Sequence, residues 1–126
     1  MNEGLQIGVS HRHSFPVHEA ITVGAHGTIP LPVLATPHLI FMLEDTCAMA
    51  VANLLEPGEV TVGTGVFIDH LAAAYTGDQI DVVVELVSIR GKRLVFRVEG
   101  RSGKVVVSRG LHERAKVSAE AMAAGR

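Results

Sequence analysis

Apolar residues fill one long stretch of the chain, residues 36–55, and alternate with polar residues in most of the sequence that follows. Thr36 followed by Pro37 is a helix-start signal, because a threonine hydroxyl can accept a hydrogen bond from an unpaired first-turn amide and proline sacrifices no hydrogen bond there. Glu56-Pro57-Gly58 is the matching stop signal. The pattern predicts one long helix over residues 36–55, with Thr36 as its cap.

One acid, Glu44, interrupts the apolar surface of this predicted helix. At about 100° per residue, Asn53 lies half a turn from Glu44, and Thr46 projects close to Asn53. The polar side is therefore predicted at Thr46 and Asn53, with Glu44 opposite them. Its neighbours three and four residues away offer no charge and no hydrogen bond: Ile40, Phe41, Cys47 and Ala48. A carboxylate in such surroundings is a candidate functional group.

Alternating apolar and polar residues predict strands on both sides of the helix. Residues 5–17 indicate an edge strand that ends at Phe15-Pro16. Residues 18–35 are rich in glycine and proline and predict an irregular segment that covers the helix start as a lid. After the helix, tight turns separate four predicted strands: residues 59–70, 79–89, 93–99 and 105–117.

His70 ends the first strand after the helix. The even positions of that strand form an apolar face that should pack on the helix, and His70 has the same parity: Val60, Val62, Val66 and Ile68. His11 and His13 share one face of the N-terminal strand, but no thiolate or carboxylate lies at a recognisable ligand spacing. We interpret those two as surface residues, and no metal or other cofactor is predicted.

The order of elements predicts an α+β fold in which an antiparallel sheet of about five strands wraps one long helix. No helix separates the later strands, so parallel crossovers are not available to them. We expect a single domain over residues 1–117 and a flexible tail over 118–126. One sheet face cannot cover the apolar helix, and strand edges stay open, so we expect a homodimer.

Composition excludes several classes of function. The net charge of −2 and the scattered basic residues do not favour a nucleic-acid partner. The longest nearly uncharged run, residues 28–43, contains three prolines and ends at Glu44, so no membrane span is predicted. The single cysteine, Cys47, cannot form an internal disulfide, and the N-terminus lacks the apolar core of a signal peptide. We expect a cytoplasmic protein.

Thr36, Glu44 and His70 are the residues that the pattern singles out for chemistry. Thr36 and Glu44 lie about 12 Å apart along one helix. They cannot touch, so a shared site requires the lid to fold back or two subunits to converge. Each residue also has a purely structural interpretation: a helix cap, a buried acid paired with a base, and a core histidine. Spacing alone leaves the function open.

Several short motifs occur in a recognisable order between residues 4 and 117: Val33-Leu34-Ala35-Thr36-Pro37, Glu44, Leu55-Glu56-Pro57-Gly58-Glu59, Val62-Gly63-Thr64, His70 with Ala72-Ala73, and Gly110-Leu111-His112-Glu113-Arg114-Ala115. Together they resemble the hotdog-fold thioesterases of the fluoroacetyl-CoA thioesterase group. The resemblance implies a hotdog fold, dimers formed through edge strands, and acyl-CoA bound at the dimer interface. It also implies that Thr36, Glu44 and His70 act together as catalytic residues.

Two mechanisms fit these residues, and the sequence does not choose between them. An anionic, poorly solvated Glu44 would attack the thioester carbonyl or activate water, while His70 transfers protons and Thr36 orients a partner or binds the oxyanion. In the alternative, Thr36 is the nucleophile and His70 its base. Gly63 resembles a family glycine at which the backbone approaches the acyl group, although a strand bulge explains it as well.

The expected substrate is a short or medium acyl-CoA. Residues 20–33 contain no Phe, Tyr or Trp, whereas the family's lid carries aromatic residues, so selectivity for fluoroacetyl is doubtful. Arg90, Lys92 and Arg93 could bind the CoA phosphates, or they are a solvated turn. The alternatives are a non-catalytic acyl-CoA-binding dimer and a hotdog enoyl-CoA hydratase, although no Asp–His pair at a hydratase spacing is evident beyond the adjacent Asp69-His70.

Overall fold

A computed structural model describes residues 4–125 and contains one long helix and a five-stranded antiparallel sheet, which confirms the predicted α+β architecture. The first three residues of the predicted domain and Arg126 of the predicted tail lie outside the described residues. Among residues 4–125, no helix is long and apolar enough to cross a membrane. The elements, in chain order, are β1 (Ser10–Pro16), α1 (Val23–His26), α2 (Thr36–Val51), β2 (Glu59–His70), β3 (Gln79–Arg90), β4 (Arg93–Ser102), β5 (Val105–Ser118) and α3 (Ala119–Ala124).

The long helix, α2, begins at Thr36 as predicted but ends earlier, at Val51, where the 3-10 turn Ala52–Leu54 continues it. Its N-cap is Ala35, so the predicted capping role of Thr36 is wrong. The Thr36 hydroxyl instead contacts a side chain of β2, described below. Thr36 therefore bonds to a residue distant in sequence and not to the first-turn amide that the sequence suggested.

The buried face of α2 packs on one face of the sheet. Its buried residues are Leu39, Met42, Leu43, Thr46, Cys47 and Val51. The predicted polar side is wrong at Thr46, which is fully buried and donates a hydrogen bond from its hydroxyl to the Met42 carbonyl at 2.7 Å. Thr46 therefore belongs to the core, and Glu44 lies on the flank of the helix rather than opposite a polar stripe.

The sheet order is β1-β3-β4-β5-β2, with every pair antiparallel, so β1 and β2 are its two edges. This confirms β1 as an edge strand. Alternate residues of β3 and β4 are completely buried against α2, which explains the valine-rich alternation of those strands: Ile80, Val82, Val84, Leu86, Leu94, Phe96 and Val98. The edge position of β2 matters most for the site, because only one side of it is paired.

A bulge between Gly63 and Gly65 changes which residues of β2 face the helix. Gly63 pairs with Arg114 and Gly65 with Glu113, so Thr64 is an extra residue in the strand. Gly63 faces α2 before the bulge, and Ile68 and His70 face it afterwards. The single even-numbered apolar face was therefore wrong in the first half of β2, where Val60 is 40% exposed.

The segment before α2 is more regular than predicted. It contains the 3-10 turn Glu19–Ile21 and the one-turn helix α1, and isolated bridges join Thr22 to Leu34 and Val33 to Tyr75. These bridges hold the segment beside the N-terminus of α2. At the other end of the chain, the Ser118 side chain caps α3 by accepting a hydrogen bond from the Ala121 amide.

Candidate active site

Thr36 and His70 form one half of the candidate site. Thr36 is the first residue of α2 and His70 is the last residue of β2, and their Oγ1 and Nδ1 atoms lie 2.8 Å apart. Partial burial lowers the pKa of His70, and a hydrogen bond with the Ala72 backbone only partly offsets that effect. The imidazole is therefore neutral near pH 7, and it can act as a base next to the Thr36 hydroxyl that it contacts.

An apolar cavity of about 460 Å³ opens beside this pair. Aliphatic side chains of the lid and of the segment after β2 line it, including Val23, Ile29, Leu31 and Leu71. Ile29 and Leu31 remain about half exposed, at 52% and 51%. Apolar side chains left open to solvent beside a hydroxyl and an imidazole are suited to an apolar ligand with one polar end.

Glu44 lies elsewhere, on the flank of α2 beside the middle of β2. Its side chain is 36% exposed, and a Cβ built on Gly63 would lie 2.5 Å from Glu44 Oε2. Only glycine lets the strand come this close to the carboxylate. Among the described residues, no hydrogen-bond donor contacts the Glu44 carboxylate; the closest basic side chain is His112, whose Nε2 lies 3.7 Å from Oε2.

Two residues that sequence reasoning left without a role, His112 and Arg114, form the wall beside Glu44. His112 is 1% exposed and Arg114 is 7% exposed. Their alternation in β5 puts both on the helix side of the sheet, a signal that was available in the sequence once the strand was assigned. Burial is the main cause that lowers the pKa of each residue.

Hydrogen bonds fix both of these side chains. His112 Nδ1 lies 2.8 Å from the Gly65 carbonyl oxygen, and Arg114 Nη1 lies 3.0 Å from His112 Nε2. Arg114 also donates from Nε to Thr61 Oγ1 and from Nη2 to the Thr61 carbonyl, both at 2.9 Å. The guanidinium is thus held by three atoms of two residues while its charge lies near Glu44.

The fold brings Thr36 to His70 and Glu44 to Gly63, but it keeps the two pairs apart within one chain. Two helical turns, about 12 Å, separate Thr36 from Glu44. Along β2, roughly 20 Å of strand separates Gly63 from His70. A single chain therefore presents two half-sites, one with a hydroxyl and an imidazole and one with a carboxylate and a buried cation.

The basic turn between β3 and β4 lies at the Gly63 end of the sheet. Arg93 is opposite Ala115, which is itself opposite Val62. Arg93 forms an ion pair with Glu113 at 2.5 Å, whereas Arg90 and Lys92 are exposed. This leaves two exposed cations at the same end of the sheet as the carboxylate half-site.

Other reactive groups of the described chain offer little chemistry. Burial raises the pKa of the Cys47 thiol to about 12, so it stays protonated and unreactive. Within residues 4–125, no group of three or more His, Cys, Asp or Glu side chains is arranged to hold a metal ion. The two half-sites are the candidate catalytic groups.

Comparison with known proteins finds relatives over nearly the whole chain. The family described as fluoroacetyl-CoA-specific thioesterase matches residues 17–120. The fluoroacetyl-CoA thioesterase of Streptantibioticus cattleyicolor is 35% identical over 127 residues, which cover 95% of this chain and 91% of that protein.

Solved structures agree in fold. The fluoroacetyl-CoA thioesterase FlK superposes with a TM-score of 0.90 at 33% identity, over 97% of this chain and 95% of that one. A thioesterase superfamily member from Thermus thermophilus gives 0.88 at 25% identity, over 97% and 90%. A hot-dog-like protein from Thermanaerovibrio acidaminovorans gives 0.86 at 22% identity, over 95% and 89%. The predicted hotdog fold is confirmed.

Proposed function

The chain belongs to the family of fluoroacetyl-CoA-specific thioesterases, and we infer that it is an acyl-CoA thioesterase, which hydrolyses its substrate to a free acid and CoA. The observation that carries the site assignment is the Glu44 carboxylate. It lies against Gly63 with no hydrogen-bond donor in contact among the described residues, so its oxygens are free to react. A carboxylate stabilised by several donors would be a weaker base and nucleophile.

We assign the chemistry to three residues. Glu44 either attacks the thioester carbonyl, which forms a mixed anhydride that water then hydrolyses, or takes a proton from the water that attacks. In both routes the C–S bond breaks and the CoA sulfur leaves as a thiolate that takes up a proton. His70 is neutral and bound to Thr36, so this pair transfers the proton and orients the carbonyl. Thr36 as nucleophile is the second route that the geometry permits, because its hydroxyl contacts the base.

We propose that the complete site forms across a homodimer in which β2 pairs with itself. β2 is a sheet edge, and its outer side chain Phe67 is 64% exposed. Counted through the bulge, Gly63 and His70 each lie three pairing steps from Phe67. An antiparallel pairing centred on Phe67 therefore places Gly63 opposite His70 of the other copy, with both on the helix side. Glu44 then lies beside the Thr36–His70 pair of the second chain.

The hydratase alternative is disfavoured by the position of Asp69. Alternation in β2 puts Asp69 on the outer face of the sheet, away from His70, and Asp69 is exposed. The Asp69 carboxylate and the His70 imidazole therefore cannot act on one substrate within one chain. A binding dimer without chemistry would leave the reactive surroundings of Glu44 without a role.

A panel of acyl-CoA substrates tests the function, read out as release of free CoA thiol. We expect hydrolysis of short and medium acyl groups, because the cavity beside His70 is lined by aliphatic side chains. The ratio of kcat/KM between fluoroacetyl-CoA and acetyl-CoA should stay below about 200, since aliphatic side chains like those beside His70 separate similar groups by only roughly 1–3 kcal/mol. We propose that the exposed Arg90 and Lys92 bind the CoA phosphates.

Two outcomes of the panel would contradict this assignment. Acyl-CoA that raises the melting temperature without release of thiol would replace the enzyme with a binding dimer. A fluoroacetyl preference of a thousandfold or more would show that aliphatic residues can form a fluorine-selective pocket, and it would overturn the proposed acyl class.

Replacing Gly63 with alanine should lower kcat/KM by roughly 10- to 100-fold, because misplacing a reacting group by about 1 Å costs that much. The new Cβ would lie 2.5 Å from Glu44 Oε2 and push the carboxylate out of position. The protein should still fold, since the displaced atom ends a flexible, partly exposed side chain. Gly100→Ala is the matched control, because its Cβ would make ordinary contacts with Ile80 at 3.4 Å. Equal activities in the two variants would contradict the assigned role of Gly63.

A further inference from the structure

The buried cation beside Glu44 does not pair with it. The point where a Gly63 Cβ would lie is 2.5 Å from Glu44 Oε2 and 3.7 Å from Arg114 Nη1, so both groups border one small space. Yet the three hydrogen bonds that hold Arg114 go to Thr61 and His112, and no ion pair within 4 Å joins Arg114 to Glu44 among the described residues. The partners of the guanidinium therefore direct it away from the carboxylate.

The hydrogen bonds of His112 show how it holds the Arg114 guanidinium away from Glu44. A carbonyl oxygen only accepts, so the 2.8 Å contact with Gly65 requires that Nδ1 carry the proton. Arg114 only donates, so Nε2 must be the unprotonated acceptor of its 3.0 Å hydrogen bond. His112 is 1% exposed, which leaves no solvent to substitute for either partner. The ring is therefore neutral, in one tautomer, with its only lone pair engaged by Nη1.

We propose that His112 is a positioning residue that keeps Glu44 reactive by holding Arg114 Nη1 through Nε2. This inference rests on the proposed thioesterase function. If Nη1 were released, it could turn to the carboxylate and form a charge-assisted hydrogen bond, which would occupy the oxygen that reacts. Held as it is, the cation faces the space beside Glu44 and can stabilise negative charge that develops there without neutralising the carboxylate.

Two substitutions separate the two nitrogen atoms of His112. Asparagine can donate to the Gly65 carbonyl as Nδ1 does, but it offers no acceptor at the Nε2 position. Glutamine reaches the Nε2 position, where its carbonyl oxygen can accept from Arg114. We expect kcat to fall roughly 10- to 100-fold in His112→Asn with KM within about twofold, and His112→Gln to retain kcat within about threefold of the parent.

A structural role alone would give a different result. Equal losses in the two variants, or losses that follow the melting temperature, would overturn the proposal. So would a rise in KM with kcat unchanged, because that change reports binding rather than reactivity of the carboxylate.

Nitrogen NMR of labelled protein tests the arrangement without turnover. At pH 7 the His112 shifts should show a protonated Nδ1 and an unprotonated Nε2; a protonated Nε2 would overturn the proposal. A parent chain that hydrolyses no thioester would overturn the proposed function, and the nitrogen shifts would still decide whether the hydrogen-bond arrangement stands.

Discussion

Glu44→Gln should abolish thioester hydrolysis and leave a folded protein. Glutamine has nearly the shape of glutamate, but its amide neither attacks a carbonyl nor accepts a proton from water, so kcat should fall by roughly 10²- to 10⁴-fold. Folding should be unaffected because the carboxylate is partly exposed and contacts no hydrogen-bond donor among the described residues. Thiol release and the melting temperature, measured on the same preparation, check both parts.

Asp45→Asn is the matched control for this substitution. Asp45 is the next residue of α2. Like Glu44, it lines a cavity of about 290 Å³ beside Gly63 and Arg114. It should retain most of the activity, which would exclude a general effect of removing one negative charge near Arg114. Full activity in Glu44→Gln would remove Glu44 from the mechanism and leave Thr36 as the nucleophile.

Two inactive variants should restore activity when they share a dimer. Co-expression of Glu44→Gln with His70→Gln yields about half heterodimers if subunits pair at random. In the proposed arrangement, one site of each heterodimer takes both defects, and the other combines an intact Glu44 with an intact His70. About a quarter of the parental activity should therefore return in the unsorted mixture, and about half in the heterodimers isolated through one tag on each chain.

A second pair of variants controls for nonspecific rescue. Thr36 and His70 belong to the same half-site, so Thr36→Ala combined with His70→Gln leaves no site intact and should stay inactive. Failure of the first mixture to recover any activity would mean that Thr36, Glu44 and His70 of one chain converge, against the separation of the two half-sites seen in the fold.

The prediction from sequence succeeded where the chemistry is local and repetitive. Alternation in β3 and β4 predicted their buried faces, and Pro37 with Pro57 marked the region of α2. It failed where a distant partner outweighed a local preference. Thr36 has a good capping side chain, but its hydroxyl lies 2.8 Å from a ring nitrogen of His70, a residue 34 positions later.

The bulge explains the other main error. A strict period of two assigned one face to the whole of β2, whereas the extra residue at Thr64 exchanges the faces partway. A glycine on each side of Thr64 is a signal for such a bulge. The wall of His112 and Arg114 was within a recognised motif, but its role depends on contacts with Thr61 and Gly65 that become visible only when β2 and β5 are aligned.

The bulge also sets a constraint on chain length. Seven positions separate Gly63 from His70, but only six pairing steps do, and an even number lets both residues face the helix. A one-residue deletion or insertion between them would change the phase of the strand and turn the histidine toward the outside of the sheet. In the proposed dimer, both copies of β2 would carry this change at the interface where they pair. Length variation among related chains should therefore be absent from this segment and concentrate in the turns at either end of it.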